Sequence, residues 1–94
     1  MPYRIDYLRE ANESLLSLPR DVRRSVRRRV QALADTPRPG WADYMWGEWE
    51  GYWRFHVGPG AYRVIYTIED RIRRVLIIRV GHRGRVYHQP PPSR

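Results

Sequence analysis

Residues 52–80 read YWRFHVGPGAYRVIYTIEDRIRRVLIIRV and contain three segments that are typical of β-strands. The first two, 52–57 and 61–69, are rich in aromatic and β-branched residues, which favour strands. The third, 72–80, contains the run Val75-Leu76-Ile77-Ile78, which is apolar on both faces and indicates a strand covered on both sides. Because only short turns separate the three segments, we predict an antiparallel meander.

The sequence before this meander predicts one strand and two helices. In residues 2–8, Tyr and Ile alternate with Arg and Asp, and this period of two is typical of a strand. In residues 9–17, apolar side chains recur every three or four positions, which predicts a short helix that ends before Pro19. A second helix is predicted for residues 19–34, with Pro19 in its first turn. One apolar stripe follows this helix, formed by Val22, Val26, Val30 and Leu33.

The remaining segments predict loops. Residues 35–47 contain two Pro and two Gly and are expected to form a loop. Residues 81–87 are expected to end the ordered part of the chain, and a short final strand is possible within them. The proline-rich tail 89–94 is expected to be disordered. The result is a single α+β domain over residues 1–88, of order β-α-α-β-β-β(-β). In this fold a helical hairpin packs on one face of a mainly antiparallel sheet.

The charge of the chain predicts an anionic partner. Its 94 residues include 18 basic and 10 acidic side chains, a formal net charge of +8, and all 18 basic residues are Arg. The absence of Lys is typical of a codon preference in a GC-rich genome. Guanidinium groups are planar, stay charged and donate several hydrogen bonds, which suits phosphates, carboxylates and stacked bases. We therefore expect a nucleic acid or an acidic protein as partner.

Composition excludes several classes of function. The chain has no Cys, which excludes disulfides, Cys-ligated zinc, iron–sulfur clusters and thiol nucleophiles. Its three His lack the spacing of a metal site, and no Gly-rich loop joins a strand to a helix as a nucleotide cradle does. We therefore expect neither a metal nor another cofactor. No apolar run is long enough for a signal peptide or a membrane span, so we expect a cytoplasmic protein without membrane contact.

An Arg-rich surface is predicted on the second helix. Six of the ten residues from 20 to 29 are Arg, on or beside the exposed face of this helix. They are consistent with a contact surface for RNA phosphates or for an acidic partner protein. They are equally consistent with a solvated helix face in a chain that uses Arg for every cation.

Cationic side chains also follow the predicted strands. Arg54 and His56 are two residues apart on one strand and therefore share a face. The full set is Arg54, His56, Arg63, Arg79, Arg83 and Arg85. Cations that converge on one surface repel each other and destabilise the fold unless an anion binds there. The alternative is that they are exposed strand residues paired with Glu48, Glu50 or Glu69.

A third cluster lies after the last predicted strand and consists of His82, Arg83, Arg85, Tyr87 and His88. Tyr87 is a candidate general base, and neighbouring Arg side chains could stabilise charge on a phosphorane-like transition state. Alternatively, Tyr87 caps the sheet with a hydrogen-bonded hydroxyl, as most Tyr side chains do.

Four pieces of sequence occur in the same order as in a known family. Met45-Trp46-Gly47 is similar to its Leu-x-Gly, and Tyr52-Trp53-Arg54-Phe55-His56-Val57-Gly58 to its aromatic-Arg-Ile-Arg-Val-Gly strand. The closest matches are Tyr62-Arg63-Val64-Ile65-Tyr66 and Val80-Gly81-His82-Arg83, the latter followed by Val86-Tyr87. From Tyr3 to Tyr87, the chain therefore resembles the RelE branch of the RelE/ParE toxin superfamily of bacterial toxin–antitoxin systems.

The resemblance implies a toxin of a type II toxin–antitoxin system that cleaves mRNA in the ribosomal A site. In that reaction the 2′-hydroxyl of the RNA attacks the adjacent phosphate. On this basis we predict catalytic roles for Arg63, Arg83 and Tyr87, with Tyr87 as the base. We predict RNA binding by Arg54, His56, Arg79 and Arg85. The expected partners are the ribosome, mRNA and a cognate antitoxin that covers the basic sheet in a hetero-oligomer.

Two other functions stay open. The same superfamily fold would serve a non-enzymatic ParE-type toxin, which inhibits DNA gyrase by protein contact. A degenerate toxin that only binds its antitoxin is the third possibility. The proton transfers of a cleavage reaction stay open too, because an Arg guanidinium is a poor proton donor. The candidates are Tyr87, His56, His82 and His88, and His56 stands where the family commonly has a fixed cation.

Overall fold

The computed structural model describes residues 2–92 and contains, within that range, two α-helices and a five-stranded sheet. The helices are α1 (Arg9–Leu16) and α2 (Arg20–Ala32). The strands are β1 (Arg4–Tyr7), β2 (Asp43–Tyr44), β3 (Trp53–Val57), β4 (Tyr62–Glu69) and β5 (Arg74–His82). Two short 3-10 turns, Gly47–Trp49 and Asp70–Ile72, precede β3 and β5.

The strands are arranged in the order β1-β5-β4-β3-β2. β1 runs parallel to β5, and the other neighbouring strands are antiparallel. The two longest strands, β4 and β5, therefore lie inside the sheet, with the short strands β1 and β2 at its edges. The predicted α+β fold, with two helices packed on a mainly antiparallel sheet, is confirmed.

One side of the sheet is covered by both helices, and we call it the helix face. Of the predicted stripe on α2, Val26, Val30 and Leu33 are fully buried, and Val22 packs at its margin. The strand residues in the same core cluster include Phe55, Val64, Tyr66, Val75 and Ile77. Because burial of one aliphatic side chain contributes about 1.5–3 kcal/mol, this stripe determines which side of α2 packs on the sheet.

The opposite side, which we call the distal face, has its own smaller core. It consists of Met45, Trp49, Tyr52, Ile65, Ile78 and Val86, with Leu8, Leu76 and Tyr87 packed against them. The cover on this side comes from the loop before β3 and from residues 83–92, which we call the C-terminal segment. β5 is therefore buried on both faces, as the apolar run 75–78 predicts.

A β-bulge between β4 and β5 redirects one side chain. Ile65 of β4 lies opposite Arg79 of β5. The next residue, Tyr66, lies opposite Ile77, so β5 has one additional residue at this point, Ile78. Strict alternation along β5 would place Arg79 on the helix face together with Ile77. The bulge places Arg79 beside Ile65 on the distal face instead.

Two predictions about the loops differ from the structure. The predicted loop 35–47 contains the short strand β2, which pairs with β3. Two residues are too few to give an alternating pattern, so the sequence carries no sign of this strand. The short final strand considered for residues 81–87 is replaced by turns after His82, whose carbonyl accepts hydrogen bonds from the amides of Arg85 and Val86.

The predicted domain and tail extend beyond the described residues, because Met1, Ser93 and Arg94 are outside them. The described part of the tail includes Gln89 and Pro90, whose carbonyls accept hydrogen bonds from Arg79. The disorder predicted for residues 89–94 stays a prediction.

Candidate functional site on the distal face

The sheet register brings four predicted site residues onto the distal face. Arg54 and Arg79 flank Ile65 from the two neighbouring strands, and the three residues form one row across the sheet. In the adjacent row, His56 lies opposite Arg63. Directly opposed side chains on antiparallel strands have Cβ atoms about 5 Å apart. The register therefore gathers three guanidinium groups and one imidazole on one surface.

Tyr87 reaches this surface from the C-terminal segment. Arg54 Nη1 donates a hydrogen bond to the Tyr87 hydroxyl oxygen at 2.9 Å. The Tyr87 ring also makes an edge contact with Trp49, with ring centroids 5.9 Å apart. A predicted base and a predicted RNA-binding residue are therefore in direct contact. The same hydrogen bond also fits the sheet-capping role that the sequence left open for Tyr87.

The β3–β4 turn holds Arg63. Gly58 and Gly60 have positive φ angles of 71° and 86°, which favour glycine, and they reverse the chain. The turn directs the Gly60 carbonyl to Arg63 Nη1, which donates a hydrogen bond to it. Arg63 is therefore fixed by the turn that precedes its own strand.

Arg83 begins the C-terminal segment beside the same turn. Its main-chain amide donates a hydrogen bond to the Ala61 carbonyl at 2.7 Å, which ties the segment to the chain two residues before Arg63. The Arg83 residue is exposed, and its side chain makes no hydrogen bond or ion pair within residues 2–92. An unpaired guanidinium at this position can contact a bound phosphate.

The two ends of the distal face differ in charge balance. At the end next to β1, Arg74 pairs with Glu69 at 2.7 Å and with Asp6 at 3.7 Å. At the other end, none of the ion pairs formed within residues 2–92 includes Arg54 or Arg63. Glu69, one of the carboxylates considered as a partner for these cations, is thus paired with Arg74. The end that carries Arg54 and Arg63 therefore has guanidinium groups that no ion pair of the described residues neutralises.

Two donor atoms at this end are buried without an acceptor. They are the Nε atoms of Arg54 and Arg63, which make no hydrogen bond within the described chain. A buried donor without an acceptor costs about 1–3 kcal/mol. The fold therefore holds these two guanidinium groups in place at an energetic cost, a pattern that is expected at functional sites.

The environment of His56 favours its neutral form. Partial desolvation of the imidazole lowers its pKa, and the guanidinium groups of Arg63 and Arg54 lower it further. The carboxylate of Asp43, which lies opposite Arg54 on β2, acts in the other direction. Because the pKa lies below the usual value of 6.5, the imidazole is mostly uncharged at neutral pH and can accept a proton.

Arg79 lies on the distal face, but its donors are occupied. Nη1 donates to the main-chain carbonyls of Val86 at 3.2 Å and Gln89 at 3.0 Å, and Nη2 donates to that of Pro90 at 2.8 Å. The RNA-binding role predicted for Arg79 stays a prediction. Its hydrogen bonds in this structure are with the C-terminal segment.

Arg85 lies in different surroundings from the Arg54–Tyr87 pair. Together with His82, His88 and Glu10 it lines a groove of about 850 Å³ between α1, the end of β5 and the C-terminal segment. Within residues 2–92, the Arg85 side chain makes no hydrogen bond to Arg54 or Tyr87. In the sequence, Arg85, His82 and His88 are grouped with Tyr87, and the structure places the first three in this groove and Tyr87 on the distal face.

The Arg-rich part of α2 forms a separate surface. α2 packs on the helix face, so its exposed side points away from the distal face. Arg29 lies 4.9 Å from the ring centroid of Trp41, and Arg23 donates to the Leu16 carbonyl at 3.2 Å. None of the ion pairs within residues 2–92 includes an Arg of α2, so these side chains are available to an anionic partner.

Sequence reasoning missed the contribution of two residues near the site. Trp49 is not among the predicted site residues, yet its ring contacts Tyr87 directly. Asp43 carries a negative charge next to Arg54 in the register. Asp43 lies in the two-residue strand β2 and Trp49 in a three-residue 3-10 turn, which are too short to show a period, so no sequence pattern could have revealed them.

The chemistry available at this site follows from its side chains. Guanidinium groups bind anions and stabilise negative charge, and a phenol and a neutral imidazole can move a proton. Within residues 2–92, no three His, Asp or Glu side chains come together as a metal site. In the same range no helix has the length and the apolar character needed to cross a membrane.

Known sequences match the chain over almost its whole length. Residues 3–87 match the family described as the ParE toxin of the type II toxin–antitoxin system parDE. A comparison with curated proteins gives no match.

The fold is similar to several solved toxin structures. A RelBE toxin–antitoxin complex from Mycobacterium tuberculosis matches with 27% identity and a TM-score of 0.74, covering 88% of this chain and 100% of that chain. A RelE–RelB complex from Pyrococcus horikoshii matches with 25% identity and a TM-score of 0.71, covering 90% and 99%. A mutant of the Escherichia coli toxin RelE in the free state matches with 22% identity and a TM-score of 0.78, covering 96% and 95%, and at this identity the likeness shows the fold alone.

Proposed function

Since the chain belongs to the ParE toxin family of type II toxin–antitoxin systems, within the RelE/ParE superfamily, we propose that it is an endoribonuclease that cleaves mRNA on the ribosome and thereby inhibits translation. The observation that carries the proposal is the 2.9 Å hydrogen bond from Arg54 to the Tyr87 hydroxyl, on a face where neither Arg54 nor Arg63 forms an ion pair within residues 2–92. A phenol beside unneutralised cations suits transfer of a phosphoryl group.

In the proposed reaction, the RNA 2′-oxygen attacks the adjacent phosphorus and the bond to the 5′-oxygen breaks. Tyr87 accepts the proton of the 2′-hydroxyl in its phenolate form, and Arg54 stabilises negative charge on the phenol oxygen. Arg63 binds the non-bridging phosphate oxygens, whose charge increases in the transition state. Arg83 stabilises the departing 5′-oxygen, which takes its proton from solvent because a guanidinium is a poor donor. The products are a 2′,3′-cyclic phosphate and a 5′-hydroxyl.

The proposal includes an antitoxin as the second partner. The structures from M. tuberculosis and P. horikoshii are toxin–antitoxin complexes. We expect a cognate antitoxin to form a hetero-oligomer with this chain and to place carboxylates near Arg54 and Arg63, which form no ion pair within residues 2–92. We expect the complex with the antitoxin and the complex with the ribosome to form in the cytoplasm, where ribosomes are found.

Mapping of mRNA 5′ ends after induced expression tests the proposal. We expect growth arrest together with new 5′ ends inside reading frames. Arg63→Ala and Tyr87→Phe should each lower cleavage by roughly 10²–10⁴-fold, the range for removal of an electrostatic or acid–base group. Arg71→Ala is the control, because it removes one positive charge from an exposed turn outside the site and should leave cleavage unchanged. Growth arrest without new 5′ ends would contradict the proposal.

The matched family favours one alternative function, inhibition of DNA gyrase by a ParE-type protein contact. This mechanism uses a binding surface and no base, so Tyr87→Phe should leave toxicity intact. Supercoiling by gyrase should then fall in the presence of the purified chain. A supercoiling assay with the wild type and Tyr87→Phe therefore distinguishes the two functions.

A further inference from the structure

We infer that Arg79 is a positioning residue, which holds the C-terminal segment in the place where Tyr87 meets Arg54. The catalytic consequence of this inference rests on the proposed function, whereas the structural role of Arg79 does not. The inference starts from the three carbonyls that Arg79 binds, those of Val86, Gln89 and Pro90. They lie on both sides of Tyr87 in the sequence.

Apart from the Arg79 contacts, few hydrogen bonds fix the C-terminal segment. The Arg83 amide donates to the Ala61 carbonyl at 2.7 Å, and the Tyr52 hydroxyl donates to the Pro92 carbonyl at 3.5 Å. The amide of Val86 bonds to the His82 carbonyl at 3.0 Å, and that of His88 bonds to the Arg85 carbonyl at 2.9 Å. Residues 90–92 are all Pro, which have no N–H group and cannot form the ladder of a helix or strand. Side-chain donors must therefore fix the end of the segment.

Arg79 has the geometry for this task. Its planar guanidinium reaches carbonyls four residues apart, from Val86 to Pro90, with Nη1 and Nη2. A Lys ammonium has three N–H donors where a guanidinium has five, and it is a compact point charge without the fixed fork of a guanidinium. Hydrogen bonds from a charged donor are stronger than those between neutral groups. Lys at this position should therefore retain the charge and lose most of the clamp.

Trp49 links the clamp to Tyr87. The Arg79 guanidinium carbon lies 5.4 Å from the centroid of the Trp49 ring, within the range of a cation–π contact. The edge contact of Trp49 with Tyr87 has a centroid distance of 5.9 Å. Trp49 is buried, with 7% of its surface exposed, so it is a fixed wall for both side chains.

The β-bulge makes the clamp possible. By placing Arg79 opposite Ile65, it directs the side chain to the face where the C-terminal segment lies. Without the additional residue Ile78, the guanidinium would point into the helix-face core. The bulge thus directs the Arg79 guanidinium towards the irregular residues 86–90, and we therefore assign Arg79 a positioning role.

Amide hydrogen exchange tests the clamp without any substrate. The probes are the hydrogen-bonded amides of Val86 and His88, compared between wild type, Arg79→Lys and Arg79→Gln. We expect exchange to be faster by about tenfold or more in both variants, because the segment opens more often once its charged donor is lost. Arg71→Gln is the matched control and should leave these rates unchanged. Unchanged exchange at both amides in the Arg79 variants would overturn the inference.

Arg79→Lys keeps the positive charge, so it decides the outcome if Arg79→Gln fails to fold. Trp49→Phe gives a second route, because it removes the wider ring under the guanidinium and leaves an aromatic wall. We expect it to raise exchange at His88 as well. Normal protection in both Arg79→Lys and Trp49→Phe would contradict the role of the clamp.

Cleavage kinetics test the catalytic consequence. A positioning role predicts that Arg79→Lys lowers kcat with little change in KM, and that it has no further effect in a Tyr87→Phe background. If Arg79 instead contacts an RNA phosphate, its variants should bind RNA more weakly. For Arg79→Gln, the slope of log affinity against log salt concentration should fall by about 1, since one fewer counterion is released on binding. Weaker binding with unchanged amide exchange would overturn the inference. If the wild type itself cleaves no RNA, the proposed function fails and the exchange experiment still decides the clamp.

Discussion

The individual residues of the distal face show a conflict between folding and function. Arg54 and Arg63 each bury an Nε atom that has no acceptor, and neither has a carboxylate partner within the described chain. Elsewhere on the same face, the guanidinium of Arg74 is matched by Glu69 and Asp6. Arg side chains are thus paired with carboxylates at one end of the sheet and form no ion pairs at the other, within the described chain. A bound phosphate or carboxylate would satisfy these groups, which is why we place the site there.

We predict from the surroundings of His56 that the proposed RNA binding depends on pH. Its pKa is lowered by partial desolvation and by Arg63 and Arg54, so the free protein holds it neutral near pH 7. A bound phosphate favours the protonated imidazole, and binding therefore takes up a proton. Affinity for an RNA with a 2′-deoxy group at the cleavage position should rise as pH falls from about 7.5 to about 5.5, by at most about tenfold per pH unit. Fluorescence anisotropy at constant ionic strength measures this.

The substitution His56→Gln should make the affinity nearly independent of pH in that range. His88→Gln is the control, since His88 lies in the groove beside α1, and it should keep the dependence of the wild type. If the wild type binds equally well at both ends of the range, His56 does not contact the phosphate.

Among the secondary-structure elements, β4 does most to connect the loops to the core. It pairs with β3 and β5, and its residue Tyr66 is fully buried on the helix face. The Tyr66 hydroxyl donates a hydrogen bond to the Pro37 carbonyl at 2.8 Å, and burial raises the pKa of this phenol. One strand residue thus anchors the loop between α2 and β2.

We predict that Tyr66→Phe lowers the free energy of unfolding by about 1–2 kcal/mol, because the Pro37 carbonyl loses its partner while the ring packing is kept. Urea denaturation measures the change. Tyr62→Phe is the matched control, since the Tyr62 hydroxyl makes no hydrogen bond within residues 2–92 and its ring contact with His82 is retained. Tyr62→Phe should change the free energy of unfolding by no more than about 0.5 kcal/mol. Equal effects of the two substitutions would show that the Pro37 contact contributes nothing.

For the molecule as a whole, one carboxylate joins three distant parts of the chain. Asp70 accepts a hydrogen bond from the Tyr3 hydroxyl at 2.6 Å and pairs with Arg38 at 2.8 Å. The N-terminal residues, the loop after α2 and the turn before β5 meet at this point. The hydrogen bonds from Arg38 and Tyr3 lower the pKa of Asp70 to about 2.

Acid should therefore weaken the folded state through Asp70. The folded pKa of about 2 lies below the ordinary value of 3.8, so the unfolded chain binds more protons between these values. The stabilising contribution is present above pH 4 and is lost as pH falls towards about 2. The difference in unfolding free energy between wild type and Asp70→Asn should accordingly shrink over this range, as measured by urea denaturation at several pH values. Asp35→Asn, at an exposed carboxylate, should show no such trend.

Most of the fold could be predicted from the sequence because its long elements have clear periods. The stripe Val22 to Leu33 determines which side of α2 is buried, and the run 75–78 predicts an interior strand. Periodicity also placed Arg54 and His56 on one face, since strand neighbours two apart must share it. The pieces that resemble the RelE/ParE superfamily agree with the family match over residues 3–87.

The tertiary structure alone decided which of the eighteen Arg residues share a site. An alternating pattern in β5 would assign Arg79 to the core, and only pairing with β4 shows the bulge that turns it to the distal face. The contact of Tyr87 with Arg54 joins residues 33 positions apart through an irregular segment, for which no period exists. The sequence by itself therefore determined the two helices, the four longer strands, their order and the positive charge. The division of that charge into paired, clamping and unpaired guanidinium groups depends on long-range contacts, which form only when the strands pair and the C-terminal segment folds back over them.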